Sequence, residues 1–274
     1  MNHLKLNNGV EIPQLGFGLW QVPDEETDPA VLRAIKEGYR LIDSATVYGN
    51  EAGVGRALKK TEVPREELII TTKVWNSDHG YDETLAAFDK SLELLGTDYV
   101  DLYLIHWPTP KHDQFVETYK ALEKLYKDGR VRAIGVCNFD IEHLQRLLDE
   151  CEILPVVNQV ERHPYFQQEE MMDFCKKHDI ILQAWSPLMT GGAVLEDPLL
   201  EELANKYGKT PAQIALRWQV DSGAIVIPKS VTPTRIKENF DIFDFELSEE
   251  DMEKIKGIDR NHRKGPAPKE MNVR

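Results

Sequence analysis

Eight short apolar runs punctuate this chain: "LGFGLW" (15–20), "LIDS" (41–44), "LIITTK" (68–73), "VDLYLIH" (100–106), "RAIGVCN" (132–138), "PVVNQV" (155–160), "IILQAW" (180–185) and "AIVIP" (224–228). They are mostly continuous rather than alternating, as expected of strands covered on both faces, which is the situation of a parallel sheet under helices. Between them the period becomes helical. In "TLAAFDKSLELLG" the residues Leu85, Phe88, Leu92 and Leu95 fall on one face and Gly96 supplies a stop. Asp28-Pro29 before "AVLRAIKEGY" reads as one helix start, and Thr210-Pro211-Ala212-Gln213 as another, a capping box with proline at the first helical position.

Eight strand-and-helix units in 274 residues suit a closed (β/α)8 barrel, which takes about 250. The expectation is a single α/β domain over residues 1–274, a (β/α)8 TIM barrel. "LKL" and "VEI" flank Asn7-Asn8-Gly9 as a β-hairpin that would cap the bottom of the barrel. An open doubly wound sheet is the competing architecture. It would carry GxGxxG at a strand-to-helix turn, and none is present, so a Rossmann cofactor site is not expected.

Charge and cysteines narrow the partners. Lys and Arg number 33 against 47 Asp and Glu, a net charge of −14 that repels phosphate backbones and anionic membranes. Cys137, Cys151 and Cys175 show no CxxC spacing, which speaks against a disulfide framework or a structural metal site. The first residues lack a basic segment followed by an apolar one, and no apolar run approaches the roughly 20 residues of a membrane helix. The expectation is a cytoplasmic protein, monomeric, without metal, nucleic acid or membrane among its partners.

Barrel chemistry sits at the C-terminal ends of the strands. Read in order, those ends give Trp20, Asp43 with Tyr48 in the following loop, Lys73, His106, Asn138, Gln159 and Trp185. A phenol with an ordinary pKa near 10 exchanges a proton at neutral pH only with electrostatic help. Lys73 would provide it, Asp43 would keep Lys73 charged, and His106 would orient a carbonyl oxygen beside Tyr48. Taken singly, each has a bland reading as a cap, a packing residue or a solvated lysine. One chemistry that uses all four favours the functional reading.

"IPKSVTPTRIKEN" (227–239) adds an anion site. A strand delivers Lys229 and Ser230, then Thr232-Pro233 opens a helix bearing Arg235, Glu238 and Asn239. Free N–H groups at a helix start attract phosphate, and two cations strengthen the attraction.

With these segments in view, together with "GYRLIDSATVYGNEAGVGRAL", "TTKVW", "LYLIHWP", "NQVERHP" and "AWSPL", the sequence resembles the aldo-keto reductase superfamily, in particular its small bacterial 2,5-diketo-gluconate and methylglyoxal reductases. The resemblance runs nearly end to end. It implies NADPH as cofactor, a small-molecule carbonyl substrate, and a catalytic tetrad of Asp43, Tyr48, Lys73 and His106. It further implies Asn138 and Gln159 on the nicotinamide carboxamide, Trp185 against the ring, and Ser186 and Leu188 along the pyrophosphate. Lys229, Ser230, Val231, Thr232 and Arg235 would take the 2′-phosphate, Glu238 and Asn239 would lie near adenine, and Gly18 and Leu19 near the catalytic mouth. Cys137 stands where serine is usual, which weakens one carboxamide contact.

Trp20, Trp75 and Trp107, beside His106, would wall the substrate mouth. The proline-bearing C-terminal segment could fold over that mouth or remain a loose tail. Two rival functions stay open at this point: a Schiff-base aldolase acting through Lys73 and a non-catalytic NADP(H)-binding regulatory subunit.

Overall fold

The structure is a computed structural model that describes residues 2–274. Strands β1 (His3–Lys5) and β2 (Glu11–Pro13) pair antiparallel, and Gly9 closes their turn at a φ of 88°. The remaining strands are β3 (Gly16–Gly18), β4 (Leu41–Asp43), β5 (Ile69–Val74), β6 (Val100–Ile105), β7 (Val131–Cys137), β8 (Val157–Glu161), β9 (Ile181–Trp185) and β10 (Ile225–Val226). They lie in sequence order and pair in parallel. A bridge between Leu15 and Val226, with Val226 N–H to the Gln14 carbonyl at 2.9 Å and Gly18 N–H to the Pro228 carbonyl at 3.0 Å, joins the first strand to the last. This is a (β/α)8 TIM barrel.

The helices are α1 (Asp24–Glu37), α2 (Glu51–Lys60), α3 (Tyr81–Leu95), α4 (Phe115–Lys127), α5 (Ile141–Glu150), α6 (Glu169–Lys177), α7 (Pro198–Tyr207), α8 (Pro211–Asp221), α9 (Pro233–Phe240) and α10 (Glu249–Lys256). Gly96 ends α3 at a φ of 64°, and Thr210 and Gln213 form the expected capping box on α8. One boundary differs. Helix α1 begins at Asp24, so Pro29 lies inside it. The N–H that proline withholds there is offset by the anchoring of the preceding turns: Asp24 accepts from Gly53 N–H at 2.7 Å and from Arg56 at 2.7 Å, and Asp28 pairs with Lys60 at 2.5 Å. Two helices, α7 and α10, are additional to the eight crossovers. They cover a satellite core that includes Leu200, Leu203, Trp218 and Ile255.

Strand periodicity then places the chemistry. Successive side chains alternate between the barrel interior and the helix layer. Ile42, Ile70, Tyr103 and Ile105 face the helices, whereas Leu41, Ile69, Leu102 and Leu104 fill the interior, where Leu6 and Ile12 of the hairpin seal the lower end. On the inward parity, two or four residues further up, come Asp43, Lys73, His106 and Gln159.

Candidate active site

At the upper end of the barrel the apolar filling gives way to a polar cluster. Lys73 is fully buried, and its Nζ donates to Asp43 Oδ2 at 2.7 Å, to the Ser44 carbonyl at 2.8 Å and to Tyr48 Oη at 3.5 Å. Tyr48 rides on a short 3₁₀ turn, Thr46–Tyr48, after β4, and is half-buried. Burial drives its hydroxyl pKa well above the ordinary phenol value, and the Lys73 charge opposes that rise. Burial, the largest single influence, works against the Lys73 charge, yet the Asp43 carboxylate together with Tyr48 and Cys137 outweighs it and holds the ammonium charged beyond the usual lysine range. The outcome is a protonated phenol beside a permanent cation.

His106 stands edge-on to Tyr48 with ring centroids 5.6 Å apart, and Trp75 lies edge-on to His106 at 5.2 Å. Burial, then the nearby Lys73 charge, lowers the His106 pKa well below the ordinary value, so its imidazole is neutral. Asn138, at a φ of 63°, donates to the His106 carbonyl at 3.0 Å and accepts from Trp185 Nε1 at 2.8 Å. Gln159 donates to Asp43 Oδ1 at 2.7 Å and to Gln183 Oε1 at 3.1 Å. Cys137 lies between the two amides: its thiol donates to Gln159 Oε1 at 3.5 Å and its sulfur accepts from Asn138 at 3.2 Å. The structure therefore gathers Asp43, Tyr48, Lys73, His106, Asn138, Gln159 and Trp185 into one connected site.

Gln183 belongs to the same network and was not singled out from the sequence. Its signal was inward parity, two residues before Trp185. Other expected residues take more peripheral places. The Leu19 side chain is wholly inside the core, leaving only backbone for the mouth, and its N–H is already given to the Asp43 carbonyl at 3.0 Å. Trp107 is buried, whereas Trp20 is 50% exposed at the rim. Among the described residues no three His, Cys, Asp or Glu side chains gather as a metal site.

A dinucleotide fits what is present. Lys229, Val231, Thr232 and Arg235 are exposed around the start of α9, where Thr232 makes no side-chain cap and leaves the first N–H groups uncapped; Ser230 is buried with its hydroxyl accepting from Thr232 N–H at 3.1 Å. Gly18 approaches the neighbouring strand so closely that a Cβ would stand 2.9 Å from the Ile227 carbonyl and 3.7 Å from Lys229 Cβ. Ser186, at a φ of 49° just after Trp185, has a buried hydroxyl without a partner, and Leu188 follows half-buried in the same loop. Glu238 is tied to Thr210 Oγ1 at 2.7 Å and Asn239 is buried.

The C-terminal segment is docked on the rim. Glu161 Oε1 and Oε2 accept from the backbone of Lys264 at 2.7 Å and Gly265 at 2.8 Å, Lys269 pairs with Glu142 at 3.1 Å, and the Val273 carbonyl accepts from Asn76 at 2.7 Å. It runs along the rim from β8 and β9 to the loop after β5.

The profile of the Aldo/keto reductase family matches residues 14–260. The chain belongs to the aldo/keto reductase family. As such it is an oxidoreductase of carbonyl compounds. It is 54% identical to the glyoxal reductase of Bacillus subtilis, over 98% of this chain and 96% of that protein. It is 50% identical to the methylglyoxal reductase DkgA of Escherichia coli, over 97% and 96% of the two chains. A solved structure of a Gox0644 mutant in complex with NADPH superposes with a TM-score of 0.93 at 46% identity, over 97% of each chain. No helix among the described residues of this aldo-keto reductase is long and apolar enough to cross a membrane.

Proposed function

We propose that this aldo-keto reductase reduces small aldehydes and dicarbonyls of the glyoxal and methylglyoxal kind to alcohols with NADPH, as a cytoplasmic monomer. The observation that carries the reading is the Asp43–Lys73–Tyr48 series, a buried ion pair ending 3.5 Å from a phenol oxygen. NADPH, when bound, supplies the hydride for the carbonyl carbon. Tyr48 holds its proton until the substrate oxygen takes it, and Lys73 stabilises the phenolate that remains. Neutral His106 donates a hydrogen bond that fixes the oxygen beside Tyr48. Asp43 keeps Lys73 charged, and Gln159 holds Asp43 in place.

Asn138 and Gln159 would hold the nicotinamide carboxamide, and Trp185 would cover the ring. Ser186 and Leu188 would flank the pyrophosphate. Lys229, Ser230, Val231, Thr232 and Arg235 would hold the 2′-phosphate, Glu238 and Asn239 would border the adenine, and Gly18 and the Leu19 backbone would lie near the mouth. Trp20, Trp75 and Trp107 would contribute the apolar wall, with half-exposed Trp20 in the outermost place. The net charge of −14 supports the absence of a nucleic acid partner.

The Schiff-base alternative needs Lys73 as a free amine, and its pairing with Asp43 opposes that. A non-catalytic regulatory subunit has no use for a buried ion pair aimed at a phenol. The deciding experiment follows NADPH and NADH consumption with glyoxal, methylglyoxal and diketo-gluconate. Turnover with NADPH at much lower KM than NADH is expected. Bound NADPH with no turnover on any carbonyl would refute the reading.

A further inference from the structure

One buried carboxylate at the rim has no part in the proton path. Glu161, the third inward position of β8 after Val157 and Gln159, is wholly buried and accepts three hydrogen bonds: from Lys264 N–H at 2.7 Å, Gly265 N–H at 2.8 Å and His163 Nε2 at 3.0 Å. Two successive backbone N–H groups on the two oxygens of one carboxylate fix the tail in position as well as in direction. The neighbouring basic side chains add to the hold. Arg260 lies over the Tyr165 ring at 3.6 Å, Arg263 over Phe166 at 4.5 Å, and Lys264 Nζ reaches the Met189 carbonyl at 3.1 Å and the Thr190 hydroxyl.

What this anchor presses against is Trp185. A Cβ on Gly265 would stand 2.5 Å from Trp185 Cη2, 3.4 Å from Cζ2 and 3.1 Å from Glu161 Oε2, so only glycine allows the tail to lie on the indole. Trp185 is half-buried, and its one polar tether is the bond from Nε1 to Asn138 Oδ1; Asn138 in turn holds the His106 carbonyl. Remove the tail, and the ring keeps a single hydrogen bond and loses the contact on its outer edge.

We infer that Glu161 and Gly265 are positioning residues of the reductase: the carboxylate seats the tail so that the glycine backbone sets the Trp185 ring for the cofactor. The inference rests on the proposal that Trp185 covers the nicotinamide.

The test is a double-mutant cycle between Gly265→Ala and Trp185→Phe, read by NADP+ binding through quenching of tryptophan fluorescence, with kcat and KM recorded beside it. In the wild-type background Gly265→Ala should weaken NADP+ by about tenfold, the size of a moderate overpacking strain, and raise the KM for NADPH by more than it lowers kcat. A phenyl ring does not reach the Cη2 position. In the Trp185→Phe background the same alanine should therefore cost much less, since only the 3.1 Å contact with Glu161 Oε2 remains. Equal weakening in both backgrounds, or none in the first, overturns the inference while leaving the cofactor site intact. Trp185→Phe that binds NADP+ as tightly as wild type instead removes the reading of Trp185 itself, and the inference with it.

Should Gly265→Ala fail to fold, Glu161→Gln keeps the shape and turns one acceptor into a donor facing an N–H. Trypsin cleavage after Arg263 or Lys264 should then quicken by about tenfold through local opening, with NADP+ weakened in step. Unchanged cleavage and affinity overturn the clamp.

Discussion

Two buried aspartates sit at opposite ends of the barrel, and their cations differ. At the lower end Asp101 of β6 is 1% exposed and pairs with Arg65 at 2.7 Å and Arg132 at 2.8 Å, while its Oδ2 also accepts from Ile70 N–H at 3.0 Å. Both arginines reach in from the surface, with side chains 20% and 42% exposed. At the upper end Asp43 pairs with a lysine that is 0% exposed. The lower pair lets water solvate the cations and ties β5, β6 and β7 together. The upper pair removes both charges from water, a cost that an ion pair alone rarely recovers. The difference teaches that a charge pair holding strands together stays at the water boundary, whereas the one proposed to serve the chemistry is enclosed at the expense of stability.

The comparison breaks most visibly at Tyr48. Tyr48→Phe should lower kcat by about 1,000-fold, as for loss of a general acid, with NADP+ affinity and melting temperature close to wild type; stopped-flow turnover and calorimetry check both halves. Next comes the enclosed pair. Lys73→Met should cost about 3 kcal/mol by stranding Asp43 in the interior, and the double change Asp43→Leu with Lys73→Met should recover most of it while staying inactive. Urea denaturation decides this, and a double variant no more stable than the single one would contradict the contrast.

A third buried polar group sharpens it on the pH axis. His79 is 3% exposed, with Nδ1 3.2 Å from Thr109 Oγ1; burial, then the charges of Arg274 and His112, lowers its pKa to about 4. The unfolded chain takes up that proton near pH 6.5, the folded one only near 4. Stability is thus complete above about pH 6.5 and falls as the pH drops toward 4, by about 2 kcal/mol between pH 7.5 and 5. Chemical denaturation at the two values, repeated on His79→Gln, should show a loss smaller by about 2 kcal/mol in the variant, the remainder coming from buried His106 and His143, whose pKa values burial also lowers. The smallest effect lies at the barrel floor: Asp101→Asn should cost about 1 kcal/mol, since its arginines are already partly solvated, with kcat unchanged.

Much of this was legible in the sequence because strand parity is strict. Asp43, Lys73, His106 and Gln159 follow inward residues at even spacing, so a correct strand count already converges them. The same rule reached Gln183 and Glu161, but nothing local marks a glutamine or glutamate as a network member rather than a solvated side chain. Helices α7 and α10 were not separable from crossover helices, because an amphipathic stripe does not say which surface it covers. The start of α1 was misplaced since Asp28-Pro29 imitates a cap, while the residues that stabilise the true start, Gly53 and Arg56, lie on the next helix. Nor could periodicity decide between a docked and a loose C-terminal segment. Its anchors on Glu161 are backbone N–H groups, which carry no sequence signature, and its basic side chains look like any solvated ones.

The join between β3 and β10 has a mechanical consequence. Strands β6 and β7 share five paired positions, whereas three and two residues form the strands at the join, held by one bridge and its flanking hydrogen bonds. The barrel is a cylinder with a seam. Thermal breathing starts at a seam, so amide exchange at Gly18 and Val226 should outrun that at Leu104. The seam also runs up to Gly18 and Lys229, on its two sides, so a dinucleotide gripped by both would act as a rivet across it and slow that exchange.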